Sequence, residues 1–267
     1  MSTSPRGGGD GSSEPLLGGS IGLIGLGNIG ACVCKRLICA GYRVKVCEIR
    51  EEARVMLTKM GADVVSNPAE AGADVPLLIV CVFTFAQVED VLFGNPDSGE
   101  AGAITRLPPG ATVCLHTTVS PDQAISFATR LEKTDHHFLD APIIGGKVGA
   151  DTGTLTIVAS GDDAAIEAAT NPLRQVGERF FRCGTTAGAA SSVKMIDSML
   201  VGIHTVAAAE AIVFAVRARS RLRFGAASDQ PRAGRCRPSA ARRPPRCTTR
   251  CSTGWAIRAC SRSGSPR

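Results

Sequence analysis

The chain has 267 residues, enough for one or two domains, and its 44% apolar content is that of an ordinary globular protein. The net charge of +6 conceals two unlike parts: from Arg217 onward there are fourteen Arg, no Lys and one acid, Asp229, which leaves residues 1–216 at −7. An acidic body gives no reason to expect nucleic-acid binding there, and eleven scattered cysteines without a CxxC pair lack the zinc and dithiol spacings and fit reduced thiols in the cytosol.

Residues 1–19 are rich in Gly and Ser and read as a disordered tail. They have no apolar segment of the secretory kind and too many acids for a mitochondrial presequence, so a cytoplasmic setting is expected. Ser20–Gly25 is a short apolar run that ends in glycine, and Asn28–Ala40 has helical spacing. Arg43–Glu48 reads as a strand, Arg50–Met60 as an amphipathic helix and Ala62–Ser66 as a short strand. Leu77–Phe83 is continuously apolar, as in a strand covered on both faces. Phe85–Leu92 reads as a helix, Thr112–His116 as a strand after the turn Pro108-Pro109-Gly110, and Ser120–Leu131 as a helix. Strands are expected at Phe138–Ile144, Leu155–Ser160 and Arg179–Cys183, with a helix near Ala164–Val176. Strands that alternate with helices imply an α/β domain over 20–184, with a doubly wound, mostly parallel sheet.

After Gly184 the pattern changes. Residues 188–217 form one long helical stretch broken only by Gly202, apolar around almost its whole circumference, which predicts a helix buried on all sides rather than a membrane span. Residues 185–219 thus read as a connecting helix that opens an all-helical domain. From Ser220 the composition breaks into Arg, Pro, Ser, Gly and Cys, which reads as disorder or as translation in a shifted frame. A basic arm that binds nucleic acid is the functional alternative for this tail; the lack of Lys and the stray cysteines speak against it.

Four segments carry chemistry. Gly25-Leu26-Gly27-Asn28-Ile29-Gly30 follows a strand and opens a helix, the context a dinucleotide fingerprint requires. Gly25 permits the tight turn, Gly27 lets the backbone approach a pyrophosphate, and Gly30 lets helix and strand pack closely. Asn28 and Ile29 lie on the helix N-terminus, where free N–H groups face the phosphates. Glu48 stands eighteen residues after Gly30 and can accept hydrogen bonds from a ribose 2′-OH, which favours NAD; Arg50 beside it leaves NADP open. In His116-Thr117-Thr118-Val119-Ser120-Pro121, capping explains Ser120 but not the two threonines at the carboxyl edge of the sheet. In Asp140-Ala141-Pro142-Ile143-Ile144-Gly145-Gly146, the glycine pair is either a plain turn or a carboxylate-binding backbone. Lys194 is the single lysine on the apolar helix: either a proton-transfer group with a pKa depressed by burial, or a structural lysine paired with Asp197 at i+3.

Taken together, in this order, GLGNIG, TTVSP, DAPIIGG and GAASSVKMIDSML resemble the 3-hydroxyisobutyrate dehydrogenase (β-hydroxyacid dehydrogenase) family over residues 20–217, and KMIDSMLVGIHTVAAAEA is most similar to the threonate dehydrogenase branch. The resemblance implies a Rossmann-type domain, then a long helix that enters an all-helical domain and dimer. It implies an NAD-dependent oxidoreductase acting on a small 3-hydroxy acid. Lys194 would be the general acid/base, Thr118 would lie near the nicotinamide ribose, and Gly145 and Gly146 would hold the substrate carboxylate. Asp197 and Ser198 occupy the places of an amide that usually meets substrate, and Ile144 replaces the usual Ser before the glycine pair. The helical domain that the family carries after the long helix is replaced here by the basic tail. A non-enzymatic dinucleotide-binding module is the alternative reading; no metal site is expected.

Overall fold

A computed structural model describes residues 19–217. The expectations for residues 1–18 and for the tail after Ser220 lie outside the described residues. The order of elements is β1 (Ser20–Ile24), α1 (Asn28–Cys39), β2 (Arg43–Cys47), α2 (Glu51–Lys59), β3 (Asp63–Val65), α3 (Pro68–Gly72), β4 (Leu77–Val80) and α4 (Phe85–Phe93). A 3-10 turn at Ala103–Thr105 leads to β5 (Thr112–Leu115), α5 (Pro121–Glu132), β6 (His137–Asp140), β7 (Ile143–Ile144) and α6 (Gly146–Thr152). The series closes with β8 (Thr156–Gly161), α7 (Asp163–Val176), β9 (Arg179–Gly184) and α8 (Ala189–Arg217).

The sheet runs β3-β2-β1-β4-β5-β6-β8-β7, with β9 beside β8. Pairings are parallel from β3 through β6 and between β8 and β9; β8 lies antiparallel to β6 and β7. The order reverses between β1 and β4, which creates the crevice at the carboxyl ends of the strands where open α/β sheets bind ligands. Alternation along the strands divides the core. In β4, Leu77 and Ile79 pack with Val33 and Leu37 of α1, while Leu78 and Val80 pack with Val88 and Leu92 of α4 and Phe127 of α5. Each central strand is thus covered on both faces, as its unbroken apolar run predicted.

Three local differences have physical causes. The expected strand Phe138–Ile144 is two strands, because Pro142 has no N–H to give a ladder and the chain leaves β5 there, pairing beyond it with β8 alone. Gly146–Thr152 forms a short helix that ends at Gly153, whose φ of +76° is the left-handed conformation of a helix C-cap. The long helix is found at Ala189–Arg217, but only Ala190 and Ser191 on it are buried. Burial on all sides is therefore corrected: Met199 is 58% and Phe214 74% exposed. An apolar circumference states a requirement for cover and does not itself supply it. By length and a mean hydropathy of 2.0, this is the one helix among the described residues long and apolar enough to cross a membrane.

Candidate functional site

The glycine turn lies between β1 and α1. Gly25 has φ +90°, a left-handed value that favours glycine. A Cβ on Gly30 would lie 2.0 Å from the Gly25 carbonyl oxygen, whereas a Cβ on Gly27 would meet nothing within 4 Å. Gly30 is thus required by the packing of the helix on its own turn; Gly27 is small although the chain leaves room for more. Gly27 and Asn28 are exposed and Ile29 half-buried. No side chain caps the helix, and the first helical hydrogen bond runs from Ala31 N to Gly27 O at 3.1 Å. The first-turn N–H groups therefore face outward with the positive end of the helix dipole, a cradle that fits a pyrophosphate.

Glu48 lies just beyond β2 and is buried. Its Oε1 accepts from Arg50 N at 2.9 Å and Arg50 Nε at 3.0 Å, and its Oε2 accepts from Arg50 Nη2 at 3.0 Å. Burial opposes its charge, but the Arg50 hydrogen bonds and charge outweigh it and hold the carboxyl below its usual range. Thr117 is buried and donates to Val82 O at 2.8 Å, which fixes the segment after β5 and leaves its neighbour Thr118 exposed at the carboxyl edge. Gly145 and Gly146 are exposed, with φ of +123° and +57°. Lys194 Nζ donates to Asp197 Oδ2 at 2.9 Å, and the lysine side chain is 16% exposed. The i+3 pair, one of the alternatives the sequence left open for Lys194, is formed; Ser198 is exposed beside it.

Two groups had no role assigned from the sequence. Asp140 ends β6 and is fully buried. Its Oδ2 accepts from Ser191 N at 2.8 Å and Gly188 N at 3.1 Å, its Oδ1 accepts from Ser191 Oγ at 2.8 Å, and Ser160 Oγ lies 3.4 Å away. Ser160 Oγ in turn accepts from Ala190 N at 3.0 Å. Burial pushes the Asp140 carboxyl up, against these hydrogen bonds, which favour its charged form. One carboxylate therefore ties the segment that leads to Gly145 and Gly146 to the first turn of the helix that carries Lys194. The signal was present in the sequence as a charged residue at the end of an otherwise apolar strand, which demands partners.

His116 is the second. Its Nδ1 lies 2.6 Å from Ala141 O, so this nitrogen carries the proton, and Nε2 has no partner among the described residues. Burial lowers its pKa to about 4. The unfolded chain protonates near pH 6.5, so His116 costs nothing above that pH, and stability is lost as pH falls from 6.5 toward 4. The shift corresponds to about 3 kcal/mol. His116→Asn keeps a donor for Ala141 O and does not titrate. Urea unfolding at pH 7 and pH 4.5 is expected to show a smaller acid loss in the variant, by roughly 2 kcal/mol or more; an identical loss in both proteins contradicts the assignment.

The model of the NAD binding domain of 6-phosphogluconate dehydrogenase matches residues 20–188. L-threonate dehydrogenase of Cupriavidus necator is 35% identical over 198 residues, which cover 74% of this chain and 65% of that protein. The Escherichia coli (strain K12) L-threonate dehydrogenase is 36% identical over 199 residues, covering 74% of this chain and 64% of it. The chain therefore spans a little under two thirds of the length of these relatives. Among solved structures, 3-hydroxyisobutyrate dehydrogenase from Salmonella typhimurium superposes with a TM-score of 0.68 at 33% identity, covering 74% of this chain and 68% of that one. With the glycine cradle, the buried acid after β2 and the long helix after β9 all in place, the chain belongs to the 3-hydroxyisobutyrate dehydrogenase family, in the part built on the NAD binding domain.

Proposed function

We propose that the chain is an NAD-dependent oxidoreductase of the 3-hydroxyacid dehydrogenase type, acting on a small hydroxy acid of the 3-hydroxyisobutyrate or threonate kind. The observation that carries this reading is the cradle at Gly25, Gly27 and Gly30, shaped for a pyrophosphate, on a sheet whose carboxyl edge also presents Thr118, Gly145 and Gly146. Bound NAD would supply the hydride acceptor. The N–H groups of Asn28 and Ile29 would hold phosphate, Glu48 would face the adenosine ribose, and Thr118 would touch the nicotinamide ribose. The backbone at Gly145 and Gly146 would hold the substrate carboxylate, with Asp197 and Ser198 beside it. Lys194 Nζ would take the hydroxyl proton as the carbinol carbon gives up its hydride.

One observation favours a second reading, a dinucleotide-binding module without turnover. Lys194 Nζ is already engaged by the Asp197 carboxylate at 2.9 Å instead of standing free for a substrate hydroxyl, and Ile144 has no side-chain group to hydrogen-bond substrate. Steady-state assays of the full chain with NAD and either L-threonate or 3-hydroxyisobutyrate separate the two. The dehydrogenase reading expects NADH formation that falls by about 100-fold or more in Lys194→Ala, within the usual range for loss of a general acid/base. NADH binding without any turnover supports the module instead.

A further inference from the structure

The last backbone hydrogen bond between β5 and β6 runs from Ala141 N to Leu115 O at 2.9 Å. Beyond it the two chains part. Thr117 gives its hydroxyl to Val82 O at 2.8 Å, just past β4, while Pro142 O accepts from Val158 N at 3.3 Å, on β8. One further link joins them, the His116 ring, whose Nδ1 donates to Ala141 O at 2.6 Å. The backbone N–H of His116 is itself fixed on Val80 O at 2.8 Å. The ring therefore adds one rung to the ladder where the backbones stop supplying them.

These two chains carry the contacts proposed for cofactor and substrate. Thr118 stands two residues after His116, and Gly145 four residues after Ala141. Asp140 is anchored the other way, on Gly188, Ser191 and Ser160. Among the described residues, the bond from His116 is the side-chain hydrogen bond that spans the two lips of the crevice. It comes at a cost: the histidine is 5% exposed and its Nε2 has no partner among the described residues. A buried nitrogen without a partner is destabilising, and an apolar side chain would avoid that. What an apolar side chain cannot supply is the donor for Ala141 O.

We infer that His116 is a positioning residue for hydride transfer: its bond to Ala141 O sets the separation between Thr118, on the nicotinamide side, and Gly145 and Gly146, on the substrate side. The inference rests on the dehydrogenase reading above for what the two lips hold. Transfer needs the carbinol carbon and the nicotinamide in near-attack geometry, and a misplacement of about 1 Å can cost on the order of 100-fold. His116 acts on that geometry through Ala141 and touches neither reactant, so its loss falls on kcat more than on binding.

The test compares the full chain with His116→Leu, which has no donor, and His116→Asn, which keeps one for Ala141 O. With NAD and L-threonate or 3-hydroxyisobutyrate, kcat should fall by about tenfold or more in His116→Leu, with KM within about threefold of the wild type. His116→Asn should stay within about threefold in both. Amide exchange followed by mass spectrometry should accelerate in His116→Leu at residues 141–149 while α1 and β1 keep their rates. In the wild type, nitrogen NMR of labelled histidine, assigned by the signal lost in His116→Asn, should place the ring proton on Nδ1; this reading does not depend on the leucine variant folding. A proton on Nε2, a kcat for His116→Leu within about twofold of the wild type, an asparagine variant as slow as the leucine one, or exchange raised evenly along the chain each overturns the positioning role and leaves the dehydrogenase reading intact. A wild-type chain that binds NADH and forms no product overturns the dehydrogenase reading, and the role in hydride transfer with it.

Discussion

Replacing Asp140 with Ala is expected to cost about 4 kcal/mol of stability, because Gly188 N, Ser191 N and Ser191 Oγ lose their acceptor and each buried donor left unsatisfied costs roughly 1–3 kcal/mol. The damage should be local. The three donors all belong to the start of α8 or the residue before it, so the first turn of that helix comes loose from β6 and β8. Hydrogen exchange at residues 188–192 should accelerate more than exchange in β1 or β4, which pair with neither β6 nor β8 and share no hydrogen bond with Asp140. Asp140→Asn keeps one acceptor oxygen and should lose less. Urea unfolding together with exchange measured by mass spectrometry checks both parts. A loss below about 1 kcal/mol would mean that the helix start is held by something other than this carboxylate.

The second large effect lies at the glycine turn, where two substitutions of equal size should both weaken NADH binding but act oppositely on stability. In Gly30→Ala the new methyl would stand 2.0 Å from the Gly25 carbonyl oxygen, a backbone atom that cannot swing aside. The helix must move off its strand, which is expected to cost about 2 kcal/mol as overpacking and to spread the turn. NADH affinity should then fall by about 100-fold, equivalent to nearly 3 kcal/mol of binding free energy. In Gly27→Ala the methyl meets nothing within 4 Å, and the backbone there, at φ −64°, is open to alanine. Stability should hold or rise by roughly 0.5 kcal/mol. NADH binding should still be lost, because the methyl occupies the space through which a pyrophosphate approaches the backbone. If Gly27→Ala binds NADH as the wild type does, no phosphate lies there.

The parts legible in the sequence were those governed by periodicity and by glycine. Leu77–Phe83 read as a doubly covered strand because no polar residue interrupts it; β4, Leu77–Val80, is buried throughout, but the strand stops there and Phe83 is 91% exposed. The fingerprint was readable because Gly25 takes a left-handed φ and Gly30 has no room for a Cβ, while Gly27 stands in open space. Short or contact-dependent features were hidden. Helix Gly146–Thr152 has two glycines in seven residues and no apolar period to announce it. The division of the strand at Pro142 depends on which neighbour the chain pairs with, a tertiary choice. Asp140 was visible as a residue, but its partners lie forty-eight and fifty-one positions away in sequence, beyond any local pattern. The hydrogen bond from Arg50 Nη2 to Leu26 O spans twenty-four positions and was invisible for the same reason. The long helix was legible as a helix from its length, while its surroundings were not, because an apolar sequence specifies a need for contact without naming the surface that meets it.

The central claim is that the turn at Gly25–Gly30 holds a dinucleotide, and calorimetric titration of NADH into the full 267-residue chain, with Gly27→Ala alongside, tests it most directly. Saturable one-to-one binding by the wild type, lost in a variant that unfolds at the same urea concentration or higher, is the result this account predicts. A folded wild-type chain that takes up no NADH at millimolar concentration, or a variant that binds it equally well, would contradict it.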